Sequence, residues 1–235
     1  MTHEPGGEPR ALFDDLFALP VGEAQALANG YVSHAYALLA GDKIILVDTA
    51  YDHQKPAIDE LVRNGRSVAA VVLTHRHVLG HIEILQWLAH ELGAPILLHP
   101  LDAERASLNI PGTQFSDPSD APVLSELGLD VTHFPGHTAG SVLLYWRAHG
   151  GVMLTGDSAM GPSLDEDRAG SKMAFRPPRS FNDDDELLRA SWAAFDRPAA
   201  SLLPLHGKPI VDQAAQMPEI LTSLRRAAPT TDFLY

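Results

Sequence analysis

Cysteine is absent from all 235 residues. Its absence excludes disulfides, a thiol nucleophile and thiolate metal ligands. Any metal held by this chain is therefore held by nitrogen and oxygen. Lysine is scarce, occurring at Lys43, Lys55, Lys172 and Lys208, and no basic run exceeds the pair Arg225 and Arg226. The formal net charge is -13. Phosphate-backbone binding needs clustered Lys and Arg, so no nucleic-acid partner is expected. No apolar run approaches the roughly 20 residues that cross a bilayer. The polar start MTHEPGGEPR lacks the apolar core of a secretion signal. These absences lead to the expectation of a cytoplasmic protein with no membrane attachment.

What is present suits an ordinary globular protein. Hydrophobic residues make up 45% and charged residues 20%, enough apolar side chain for a sizeable core. Residues 1–10, rich in Gly, Pro and Glu, are expected to form a flexible leader. No linker composition divides the remainder, so residues 11–235 are expected to form one domain.

Periodicity places the elements. Tyr36 to Ala40 and Lys43 to Asp48 read as strands joined by a Gly41-Asp42 turn. Val68 to Leu73 is a continuous apolar run, as in a strand buried on both faces. Further strands are expected at Pro95 to Leu98, Leu129 to Phe134, Ser141 to Trp146, Gly151 to Leu154 and Ala200 to Leu205. Helices are expected at Ala57 to Asn64, His81 to Leu92, Asp102 to Leu108, Asp184 to Phe195 and Asp212 to Ala227. Residues 158–182 show no period. The mixture of alternating strands and helices with hairpins indicates an α/β fold with mixed sheet.

Candidate ligands follow the strands. The run VVLT leads to His75 and His77, and the strand through Val131 leads through FPG to His137. VMLTG leads to Asp157, SLLPL to His206 and IILV to Asp48. Rigid sheets display functional groups at strand ends. Positions i and i+2 of extended chain face the same side, so His75 and His77 can address one ion. His81, in the first turn of the next helix, can turn back toward them. A histidine-rich set with carboxylates and no Cys suits Zn(II), Fe(II) or Mn(II). Asp48 could ligate directly or orient a ligand from behind. Lys172, Arg176 and Arg179, in or beside the aperiodic segment, could grip an anionic part of a substrate or be solvated surface charges.

These residues in this order resemble the metallo-β-lactamase superfamily. The matching stretches are VDTAYD around Asp48, THRH at 74–77, FPGHTAGS at 134–141, LTGDSAM at 154–160 and LLPLHGKP at 202–209. The resemblance implies an αββα sandwich, two mixed β-sheets flanked by helices, with a metal centre at one edge between the sheets. It places His75, His77 and His137 in a first metal site, makes Asp157 the bridge and assigns His206 to a second. The family motif H-x-H-x-D-H is altered here to His75-Arg76-His77-Val78-Leu79-Gly80-His81. Its aspartate is missing, and a gapped alignment puts His81 on the last histidine. One tightly bound zinc is therefore expected, with the second site weak or empty.

Three His ligands and an open position describe a catalytic zinc site, which lowers the pKa of bound water to about 7. The expected function is a metal-dependent hydrolase. It would use a metal-bound hydroxide to cleave an ester-, thioester-, lactone- or amide-type bond of a small molecule. Asp157 would ligate or orient the water, and His206 and His81 would complete the site or shuttle a proton. Two alternatives stand beside it: a mononuclear iron enzyme like the family's persulfide dioxygenases, and a catalytically weakened binding protein of the same fold. The sequence leaves the oligomeric state open, a homodimer included.

Overall fold

The computed structural model describes residues 8–21, 32–49, 51–77, 82–105, 114–162 and 173–226. His81 and Lys172 lie outside the described residues, as do the altered positions 78–80.

Among the described residues, ten strands form two sheets. The first contains β1 (Arg10–Phe13), β2 (Leu16–Ala18), β3 (Tyr36–Ala40), β4 (Lys43–Val47), β5 (Ser67–Val72) and β6 (Ile96–Leu97), side by side in that order. From β1 to β4 the pairing is antiparallel, and from β4 to β6 it is parallel. The second sheet has the order β10-β9-β8-β7, built from β7 (Leu129–His133), β8 (Val142–Trp146), β9 (Val152–Gly156) and β10 (Ser201–Pro204). Here β9 and β10 run parallel and the other pairs antiparallel.

The helices are α1 (Lys55–Arg63), α2 (Ile82–His90), α3 (Pro100–Ala103), α4 (Pro122–Glu126), α5 (Asp185–Ala194) and α6 (Met217–Arg225). Alternation along the strands sorts the apolar side chains into three cores. In β4, Ile45 and Val47 turn inward and join Leu144, Trp146, Val152 and Leu203 of the other sheet. Their chain neighbours Ile44 and Leu46 point the opposite way and pack with Ile58 and Leu61 of α1 and Ile84, Leu85 and Leu88 of α2. The second sheet repeats the pattern: Leu143, Tyr145, Met153 and Leu202 face Leu188 and Trp192 of α5 and Ile220 and Leu224 of α6. Period-2 side chains thus bury both faces of both sheets. The result is the αββα sandwich, two mixed sheets flanked by helices.

Several boundaries differ from the sequence reading. Strand β1 begins at Arg10, the last residue of the expected leader, and the β1–β2 hairpin was not anticipated. Its strands are short and interrupted by the Asp14-Asp15 turn. Helix α6 begins at Met217 instead of Asp212, because Asp212 adopts a left-handed φ of 53° that a helix cannot include. Helix α3 starts two residues early, at Pro100, with the His99 side chain accepting from Leu101 N–H.

Candidate metal centre

Both sheets deliver side chains to one edge. Asp48 follows β4, and His75 and His77 follow β5. From the second sheet come His137 beyond β7, Asp157 directly after β9 and His206 two residues past β10. His75, His77 and His137 form a potential metal-binding group, with one nitrogen from each lying within 4.8 Å of the others. His77 Nδ1 and His137 Nε2 are 3.1 Å apart. Asp157 Oδ2 stands 3.5 Å from His75 Nε2, 3.7 Å from His137 Nε2 and 3.6 Å from His206 Nε2.

A chain of bonds aims each buried imidazole. His75 Nδ1 lies 3.0 Å from Thr74 Oγ1, and that hydroxyl donates in turn to Asp48 Oδ1 and Oδ2 at 2.9 Å each. The hydroxyl proton goes to the carboxylate, so His75 donates Nδ1–H to Thr74 and its Nε2 lone pair faces the centre. Asp48 also accepts Thr74 N–H at 2.7 Å. Thr74 thus engages both carboxylate oxygens, and Asp48 stands behind His75. His137 donates Nδ1–H to Asn182 Oδ1 at 3.1 Å. The Asn182 amide is oriented because its Nδ2 donates to Asp185 Oδ1 at 3.0 Å and Pro177 O at 3.3 Å. His206 Nδ1 lies 3.3 Å from Val32 O, which turns its Nε2 toward Asp157.

Close backbone approach makes this possible. Gly156 has φ +51°, and a Cβ there would sit 2.1 Å from Thr74 Oγ1. Only a glycine lets β9 pass so near the Thr74 side chain.

The electrostatics follow from burial and neighbours. Burial and the charges of His75 and His77 push His137 down to about 4, so it is neutral at pH 7. Partial burial, with His75 and Arg76 beside it, also lowers His77. Burial alone would raise Asp157, but His206, His75 and His137 outweigh it and hold the carboxyl well below its usual range. Burial raises Asp48 to about 6, against the opposing effects of His75 and the Thr74 hydrogen bonds. Burial lowers His75, but the carboxylates of Asp157, Asp48 and Asp102 outweigh it and raise that imidazole. The centre thus sets a neutral His137 and a lowered His77 beside an ionised Asp157.

That donor set fits a divalent cation. Among the described residues, His75 Nε2 and Asp157 Oδ1 are buried without a hydrogen-bond partner. Leaving such atoms bare costs about 1–3 kcal/mol each, and a bound cation removes that penalty. The separations also match: two atoms at about 2.0–2.1 Å from one tetrahedral ion stand roughly 3.3 Å apart.

The remaining candidates lie elsewhere. Arg176 is not available to an anion, because Nη1 donates to Leu224 O and Arg226 O and Nη2 to Asp185. Its guanidinium caps the end of α6, a role the sequence does not display. Arg179 keeps an exposed side chain 3.9 Å from Asp185. Sequence reading missed Thr74 and Asn182. Thr74 was legible as the residue preceding the first histidine, whereas Asn182 lay in the aperiodic segment and no spacing pointed to it.

Fold and site together define a two-sheet metalloprotein with a histidine-rich centre at the sheet edge. The family model for the metallo-beta-lactamase superfamily matches residues 28–204, and the chain belongs to that superfamily. It is 30% identical over 139 residues to an uncharacterized protein of Mycobacterium leprae, covering 51% of this chain and 63% of that protein. It is 33% identical over 129 residues to a hydroxyacylglutathione hydrolase of Anaeromyxobacter dehalogenans, covering 55% of this chain and 47% of that enzyme. The chain thus spans less than two thirds of either relative. Among solved structures, a metallo-beta-lactamase from Erythrobacter litoralis shares the fold with a TM-score of 0.65 and 20% identity, over 92% of this chain and 95% of that one.

Proposed function

We propose that this protein is a metal-dependent hydrolase acting on an ester-, thioester-, lactone- or amide-type bond of a small molecule. The observation that carries the reading is the convergence of His75, His77 and His137 on Asp157 with unpartnered buried donor atoms between them. His75 Nε2, His77 Nδ1 and His137 Nε2 would hold one divalent ion tightly, zinc being the expected metal. A divalent ion in such a site acidifies water and polarises a carbonyl.

The chain's own groups do the rest. Thr74 and Asn182 keep the ring protons of His75 and His137 on the outward Nδ1 atoms, so the inward nitrogens stay free. Asp157, ionised and turned toward three imidazoles, is placed to orient a water or accept its proton. His206 Nε2, 3.6 Å from Asp157 Oδ2, is placed to pass that proton to solvent. Arg179, exposed beside the segment that holds Asn182, remains a candidate contact for an anionic substrate.

The hydroxyacylglutathione hydrolase relative puts thioesters first among the bonds to try. Purified protein would be analysed for metal and assayed on a panel of acyl-glutathione thioesters, lactones and β-lactams. One tightly held zinc per chain is expected, with hydrolysis that His137→Ala abolishes together with metal. Unchanged metal content and activity in His137→Ala would refute the assignment. Two tightly held ions per chain would refute the single-site reading.

A further inference from the structure

The loops carrying His77 and His137 come from different sheets, yet one carboxylate touches both. Asp102, in α3, is fully buried. Its Oδ2 accepts the backbone N–H of Arg76 at 2.8 Å and the Thr138 hydroxyl at 2.6 Å. Its Oδ1 accepts Gly140 N–H at 2.9 Å and Arg76 Nη1 at 3.2 Å. Arg76 stands between two candidate ligands, and Thr138 directly follows the third. Four donors fill the carboxylate, and one of them is a guanidinium, which offsets the buried charge. The second loop is shaped to receive it: a Cβ on Gly140 would lie 2.7 Å from Asp102 Cγ. Ser141 Oγ, 2.7 Å from Thr138 Oγ1, supplies a proton to that hydroxyl and frees its own for Asp102. The arginine extends the link, its Nη1 and Nη2 also donating to Asp183 at 3.0 and 2.7 Å.

We propose that Asp102 is a positioning residue that clamps the His75–His77 loop to the His137 loop and so sets the spacing of the metal-holding nitrogens. The proposal rests on the metal reading above. Ligand geometry must hold within about 0.5 Å to be productive, and loss of an outer partner typically weakens metal binding 10–100-fold. Asparagine is no substitute. Its amide would turn one acceptor into a donor facing two donors, pushing the loops apart.

The test compares wild type with Asp102→Asn by loading each with Co(II), recording the ligand-field absorption and titrating with a chelator. Roughly 10–100-fold weaker binding with shifted absorption bands is expected, while the far-UV circular dichroism of the metal-free protein stays as in wild type. A milder pair repeats the question. Thr138→Val should weaken Co(II) binding, and Thr138→Ser, which keeps the hydroxyl, should restore it. Wild-type affinity and spectrum in Asp102→Asn overturn the proposal. If that variant does not fold, equal affinity in the Val and Ser variants overturns it instead. Wild-type protein that binds no Co(II) overturns the underlying metal reading and is distinguished by that result.

Discussion

Replacing Gly156 by alanine tests the link between fold and site most sharply. The new Cβ would lie 2.1 Å from Thr74 Oγ1, 2.8 Å from Thr74 Cβ and 3.3 Å from His75 Nδ1, at a backbone φ of +51°. The left-handed conformation alone costs an L-residue roughly 1–2 kcal/mol. Relief of the overlap requires either Thr74 to rotate or β9 to withdraw. Rotation breaks the Thr74 hydroxyl bond to Asp48 and leaves His75 Nδ1–H buried without an acceptor. Each such loss costs about 1–3 kcal/mol. Withdrawal of β9 instead displaces Asp157, the next residue. The sum is about 3–8 kcal/mol, a large part of the 5–15 kcal/mol that stabilises a typical domain.

Urea denaturation of the metal-free protein would read the change as a lower midpoint at constant slope. Chelator competition would read it as weaker metal binding. A cycle with Thr74→Ala separates the causes. Removing the obstructing hydroxyl should lower the cost of Gly156→Ala by roughly 1–3 kcal/mol, well above the 0.3–0.5 kcal/mol scatter of independent sites. A Gly156→Ala protein within about 1 kcal/mol of wild type, or strictly additive effects, would contradict the close-approach argument.

Other changes have distinct expected outcomes. Asn182→Ala should weaken metal binding by roughly 10–100-fold, read by chelator titration, because His137 loses the acceptor that fixes its ring. Arg176→Met should lower stability by about 2 kcal/mol in denaturation while leaving substrate KM unchanged, since Arg176 caps α6 and Met has no N–H to donate to the carbonyls of Leu224 and Arg226. An altered KM would mean that Arg176 meets substrate. Asp130 is held down to about 2 by Arg147, with Arg197 adding to the effect. Its folded value lies below the unfolded one near 3.9, so its contribution is present above about pH 4 and lost as pH falls toward 2. The stability gap between wild type and Asp130→Asn should therefore amount to about 1 kcal/mol or less at neutral pH and close in acid. A gap that grows on acidification would contradict the sign.

The parts of this molecule that sequence revealed share a physical cause. Strands buried on both faces, such as Val142–Trp146 and Val152–Gly156, must be continuously apolar, so they stand out without any alignment. Ligands placed directly after such strands, as with Asp157 and His75, inherit that visibility. The β1–β2 hairpin was hidden because its strands have four and three residues and only partial burial. Asn182 was hidden for another reason. Its role depends on which atom His137 presents after the chain has crossed from one sheet loop to the next, and that relation has no signature in local order. The same holds for Asp102, whose four donors come from residues at least 26 positions away.

The centre draws Asp48, His75 and His77 from the first sheet and His137, Asp157 and His206 from the second. Among the described residues, the three-histidine group takes two members from the first half of the polypeptide and one from the second. On the proposed metal reading, two fragments made by cutting between β6 and β7 should associate more tightly with metal and separate on adding chelator; association unaffected by either would contradict it. A metal held there would then also be a clasp between two pieces, and its occupancy would be read from their association rather than from catalysis.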